Sequence, residues 1–123
     1  MYSVRLITPE KLKKIDDAKL IQFEAFNGQM GVMPGHEKMM VMVKPGIVTI
    51  DNENEIFITG GFAEIKESEI IIISEEIVYP KDITHDYLQK KIAYLQGLSA
   101  DHPDYDNAFL TVQNIEHLVL SKE

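Results

Sequence analysis

Apolar and polar residues alternate with the period of a β-strand along the first two thirds of the chain. Residues 2 to 7 (Tyr-Ser-Val-Arg-Leu-Ile) alternate at period two until Thr8-Pro9-Glu10 breaks the run. Ile21, Phe23 and Ala25 alternate with Gln22 and Glu24, the mark of a strand with one buried face. Met39 to Val43 is apolar on both faces, and Ile47 to Ile50 follows a turn at Lys44-Pro45-Gly46. The polar tetrad Asp51-Asn52-Glu53-Asn54 predicts a hairpin tip leading into 55–59. Gly60-Gly61 predicts a bulge or corner before 62–66, and Glu67-Ser68 a turn into 70–74. Short strands at roughly 8–12-residue spacing, separated by turn residues, predict an antiparallel sandwich or barrel.

The period becomes helical near Pro80. Leu88, Ile92 and Leu95 fall at i, i+4 and i+7, flanked by Tyr87, Tyr94 and Leu98, with Asp82 or Thr84 as the cap. Gly97 closes this helix, and Pro103, in a first-turn position beside Asp104 and Asp106, opens a second. Ala108, Val112, Ile115 and Val119 form its apolar stripe. The fold class is therefore mainly β with α. An N-terminal antiparallel β-sandwich over residues 1–82 precedes a C-terminal two-helix antiparallel hairpin over 83–123.

Between the strand-like runs Leu20–Phe26 and Met39–Val43 lies Asn27-Gly28-Gln29-Met30-Gly31-Val32-Met33-Pro34-Gly35-His36. Three glycines and a proline in ten residues predict a shaped, glycine-dependent turn system. Met30 and Met33 sit in it as soft apolar side chains of the kind found at protein contacts, while core filling accounts for Met40 or Met42.

Composition narrows the function classes. With 123 residues, 45% hydrophobic and 26% charged, the chain reads as a globular domain with an appendage. The net charge of −8 disfavours nucleic acid and anionic lipid, because the only basic cluster, Lys11, Lys13, Lys14 and Lys19, is broken by Asp16 and Asp17. Residues 1–81 hold 9 basic and 13 acidic groups and residues 82–123 hold 3 and 7, so the hairpin is the more acidic part per residue. No apolar run reaches the ~20 residues of a membrane helix. The run Ile70 to Ile73 predicts a buried strand, and no signal peptide is visible in residues 1–20. Absence of cysteine excludes disulfides, thiolate catalysis and Cys-based metal sites.

Nothing assembles into catalytic chemistry. The glycine loop lacks a Gly-Lys-Ser/Thr and a following helix, so it is not a phosphate cradle. His36, His85, His102 and His117 show no helical i, i+4 metal pair, and Asp101, Asp104 and Asp106 read as helix-capping acids. No serine occupies a nucleophile elbow. No catalytic residue, metal site or cofactor is expected.

The loop motif carries a resemblance. Gly28-Gln-Met-Gly31-Val-Met-Pro34-Gly35-His36, then Lys44-Pro45-Gly46, then Gly60-Gly61-Phe62-Ala63-Glu64-Ile65, resembles three linked stretches of the epsilon subunit of F-type proton-translocating ATP synthases, the delta subunit of mitochondria. The resemblance covers residues 1 to about 82 well and the remainder weakly. It implies a ten-stranded sandwich with a helical hairpin and a non-catalytic rotor subunit of the central stalk. The partners it implies are the gamma subunit and the ring of c-subunits, with the catalytic alpha and beta subunits reached through the hairpin. It implies no direct membrane insertion and a peripheral place on the cytoplasmic face of the bacterial inner membrane; an organellar membrane fits equally.

By the same resemblance Gln29, Met30, Val32, Met33, Pro34 and His36 would contact ring and gamma, with Gly28, Gly31, Gly35, Pro45, Gly46, Gly60 and Gly61 as structural turn residues. Gln29 replaces the family's usual acid, and Glu37-Lys38 an Ala-Pro type pair. Some members bind ATP through Ile/Leu-Asp-x-x-Arg-Ala; in Ile83-Thr84-His85-Asp86-Tyr87-Leu88, Thr84 replaces the acid and Tyr87 the arginine, so little or no ATP binding is expected. The acidic second helix likewise implies weak inhibition of ATP hydrolysis. The alternative is a stand-alone β-sandwich binding module with a helical regulatory tail.

Overall fold

A computed structural model describes residues 2–121. Ten strands precede two helices: β1 (Tyr2–Ile7), β2 (Leu12–Ala18), β3 (Ile21–Ala25), β4 (Gly28–Val32), β5 (Met39–Val43), β6 (Gly46–Ile50), β7 (Asn54–Ile58), β8 (Gly61–Ile65), β9 (Glu69–Ser74) and β10 (Ile77–Val78). A 3-10 turn at Pro80–Asp82 leads into α1 (His85–Gln96) and α2 (Tyr105–Leu120).

The strands run in the order β10-β7-β6-β3-β5-β8-β9-β1-β2, with β4 on the other side of β3. The sheet turns back on itself at the β3/β5 step, where Ala25 and Val43 are the single paired position. Alternate residues of both halves then meet in one core: Val4, Leu6, Ile21, Phe23, Val41, Val43, Val48, Ile50, Ile56, Ala63, Ile65, Ile70 and Ile72 are all buried. This is the expected sandwich, with one difference from an all-antiparallel one. β1 pairs β9 in parallel, Ser3 opposite Glu69 through Ile7 opposite Ile73. Those strands are far apart in sequence, so no tight turn dictates their direction.

Two local expectations change. The first half of the glycine loop is a strand: β4 pairs β3 from Ala25–Gly28 to Ile21–Val32, and the turn is Phe26-Asn27. Gly31, read as a turn residue, therefore lies inside a strand. Ile70 to Ile73 is buried only at alternate positions, because Ile71 and Ile73 lie on the other face and Ile73 is 49% exposed.

The hairpin packs on a second, smaller cluster in which Phe57 and Ile83 meet Leu88, Ile115 and Val119. Thr84 caps α1, its hydroxyl accepting the Tyr87 N–H at 3.2 Å. Pro103 precedes α2 instead of lying in its first turn. Asp104, at the cap position, makes no cap bond and takes the Tyr94 hydroxyl at 2.6 Å. On α2 the fully covered positions are Ala108, Thr111, Ile115 and Val119, with Val112 only partly covered. Thr111 tolerates burial because its hydroxyl donates to the Asn107 carbonyl at 2.8 Å.

Candidate functional site

The surface with the clearest purpose was not among the predicted contacts. On β5 the side chains of Val41 and Val43 enter the core, so Met40 and Met42 stand outside, 67% and 54% exposed. Register carries Met42 across the sheet: it lies opposite Phe62, Phe62 opposite Ile73, Ile73 opposite Ile7, and Ile7 opposite Leu12. Partners in register share a face, so these five residues form one apolar row spanning five strands. Phe62 is half exposed, Leu12 is exposed and Ile7 is partly covered. Phe26 extends the row at the β5 end, its N–H donating to the Met42 carbonyl at 3.1 Å.

The neighbouring row is charged. Met40, Glu64, Ile71, Arg5 and Lys14 follow each other in the same register. Glu64 pairs with Lys66 at 3.5 Å, Lys66 with Glu69 at 3.7 Å, and Arg5 with Glu69 at 3.4 Å. An apolar strip with charge along its border is the anatomy of a protein–protein interface. Sequence patterning could have found it: Met-Met-Val-Met-Val and Ile-Ile-Ile-Ile are apolar on both faces, which a one-sided sandwich strand does not need.

The predicted contact residues divide. Met33 is 59% exposed, Pro34 and Gln29 are exposed, and His36 is partly covered with its Nδ1 2.7 Å from the Glu37 carbonyl oxygen. The turn that carries Met33, Pro34 and His36 is held firmly, since Gly35 donates to the Glu67 carbonyl at 2.9 Å and His36 to that of Met33 at 3.1 Å. Val32 is a correction: it is fully buried in the core, because β4 turns it inward, and offers nothing to a partner. Met30 also packs against that core. The methionines thus exchange roles, with Met30 inside and Met40 and Met42 outside.

At the other structural turns, Gly35 and Gly60 hold positive φ angles of 86° and 89°, and Pro45 is buried. Among the described residues no group of three or more histidine, aspartate or glutamate side chains is placed to hold a metal. Tyr87, in the motif arginine's position, donates its hydroxyl to Glu76 Oε1 at 2.5 Å, and Lys91 Nζ donates to Oε2 at 2.7 Å. Burial would raise the Glu76 carboxyl, but the hydrogen bonds from Lys91 and Tyr87 and the Lys91 charge outweigh it and hold the carboxyl below its ordinary range. Burial, then the Glu76 bond and charge, push the Tyr87 hydroxyl up.

Residues 1–80 match the family model for the β-sandwich domain of the ATP synthase delta/epsilon chain. The chain belongs to the ATP synthase delta/epsilon family. An ATP synthase epsilon chain of Parvibaculum lavamentivorans is 29% identical over 117 residues, spanning 92% of this chain and 89% of the relative. Epsilon chain 2 of Ralstonia nicotianae is 31% identical over 87 residues, spanning 68% of this chain and 63% of the relative. Among solved structures, a chain of the Tetrahymena thermophila mitochondrial ATP synthase central stalk and c-ring superposes with a TM-score of 0.73 at 18% identity, over 94% of each chain. One from the Euglena gracilis mitochondrial enzyme gives 0.70 at 23% identity, over 98% of this chain and 80% of that one. At these identities the likeness is one of fold. The apolar row therefore lies on a family member, on the outer face of its family-defining sandwich.

Proposed function

We propose that the chain is an epsilon-type central-stalk subunit of an F-type ATP synthase. It is non-catalytic: it joins the gamma subunit to the c-ring and so helps couple proton translocation to ATP synthesis. The observation that carries this reading is the row from Leu12 to Met42, with its charged border, on the sandwich of a delta/epsilon family member. We assign gamma to that row. The c-ring is assigned to the turn around Met33, Pro34 and His36 and to Gln29 on β4. A turn tied by its backbone to the β8–β9 turn is stiff enough to pass torque.

The stand-alone binding module has less behind it, because family membership accounts for the sandwich and the exposed row accounts for a protein partner. Among the described residues no helix is long and apolar enough to cross a membrane. We infer a peripheral place in a membrane-associated complex, on the cytoplasmic face of the bacterial inner membrane. Its hairpin reaches the catalytic alpha and beta subunits weakly at most, since Asp104, Asp106 and Glu116 meet no basic excess on α2. Co-purification tests the assignment. Gamma and c-subunits retained on the tagged chain support it; a chain that recovers neither contradicts it.

A further inference from the structure

The hairpin meets the sandwich in two chemically different places. One is the apolar cluster of Phe57 and Ile83 under Leu88, Ile115 and Val119. The other is a polar corner of the sandwich formed by Thr59-Gly60 and Ser74 to Glu76. There the Glu76 carboxylate takes both Tyr87 and Lys91, one turn apart on α1. The Thr59 carbonyl takes the Asn107 side-chain amide of α2 at 2.8 Å. Gly60 leaves room for that contact: a Cβ there would stand 2.9 Å from Asn107 Oδ1 and 3.1 Å from the Val43 carbonyl oxygen.

The two grips are built as one piece. The Glu76 N–H donates to Thr59 Oγ1 at 3.1 Å, and the Thr59 N–H donates to the Glu76 carbonyl at 3.3 Å. Ser74 Oγ donates to that same carbonyl at 3.1 Å and lies 3.2 Å from Thr59 Oγ1. Thr59 and Ser74 are buried, so this network fixes the carboxylate that holds α1 relative to the carbonyl that holds α2. Solvent-open clefts of about 320 and 480 Å³ flank the corner, and Glu75 and Glu76 line both. At this end of the interface the polar contacts bridge hairpin and sandwich.

Among the described residues the sandwich core contains no hairpin residue, whereas the hairpin's own buried cluster is small. Two short helices with so little covered surface depend on their docking contacts to stay formed. The geometry points to a clasp: the Thr59–Glu76 corner keeps both helices seated on the sandwich, and Glu76 is the residue on which their release turns. Loss of its carboxylate frees the hairpin and leaves the sandwich folded.

Hydrogen–deuterium exchange on the full chain tests this. Glu76→Gln is expected to speed exchange of the α1 and α2 amides about tenfold, the effect of losing charge-assisted bonds at a half-exposed site. Tyr87→Phe and Lys91→Met each remove one arm and are expected to speed it about threefold. Lys90→Gln, which breaks only the Lys90–Asp86 pair within α1, should change nothing. The amides of β3, β6 and β8 should stay at wild-type rates in every variant. Hairpin exchange at wild-type rates in the three clasp variants overturns the clasp. So does a sandwich that opens in step with the hairpin, including a Glu76→Gln chain that does not fold.

Discussion

At the scale of single residues, the family motif separates into positions that shape the backbone and positions that stand exposed on the surface. Gly61 is of the first kind. Its φ is 149°, and a Cβ would stand 1.8 Å from the Ile73 carbonyl oxygen on the paired strand. Gly61→Ala should destabilise the sandwich by about 3 kcal/mol, read from urea unfolding, because the strand must shift and the backbone strain together. Glu76 gives a pH signature. Its folded carboxyl lies below its unfolded value of 4.5, so its contribution is complete above that value and drains away as pH falls below it. Acid titration of the hairpin's helical circular dichroism should show this loss, and Glu76→Gln should flatten that part of the curve. A curve unchanged by the substitution would remove Glu76 from the account. Single residues were also where sequence was least informative. Met30, Met40 and Met42 are equally apolar, and only the register of β4 and β5 decides that the first enters the core and the others leave it. The Glu76–Tyr87–Lys91 grip brings residues together across a sandwich corner, and no local spacing announces that.

Elements were far more legible. Period-two runs placed most strands because a half-buried strand must alternate, and the helical stripes at Leu88 and Ile115 marked both helices. β4 was hidden because Gly28, Gly31 and Val32 read as turn chemistry, while β3 supplies the pairing that makes them a strand. The parallel β1–β9 pair was hidden because direction between distant strands is a tertiary decision. The division at residue 82 leads to a prediction of its own. A chain ending at residue 82 should fold, since among the described residues every member of the main core lies before that point. It should be less stable than the full chain, because Phe57, fully buried under the hairpin cluster, becomes exposed at a cost of about 2 kcal/mol. Thermal unfolding checks this, and failure of residues 1–82 to fold would contradict the division. In an assembled synthase the same truncation should leave ATP hydrolysis close to its original rate.

For the whole molecule, charge and surface point in the same direction. On the acidic hairpin Tyr87 spends its hydroxyl on Glu76, Lys91 spends its charge there, and Lys90 pairs with Asp86. Calorimetry should therefore find ATP binding no tighter than millimolar, and a micromolar dissociation constant would contradict this. The sandwich presents a five-strand apolar row with a charged border, a surface that a protein standing alone in water has no use for. The most direct test is titration of the purified chain with the gamma subunit, comparing wild type with Phe62→Glu and Met42→Glu. Both side chains are half exposed, so the variants should unfold within about 0.5 kcal/mol of wild type. A charge in the middle of the row should cost about 2 kcal/mol of binding or more, a loss of roughly 30-fold in affinity. Folded variants that bind gamma as tightly as the wild type would contradict the account.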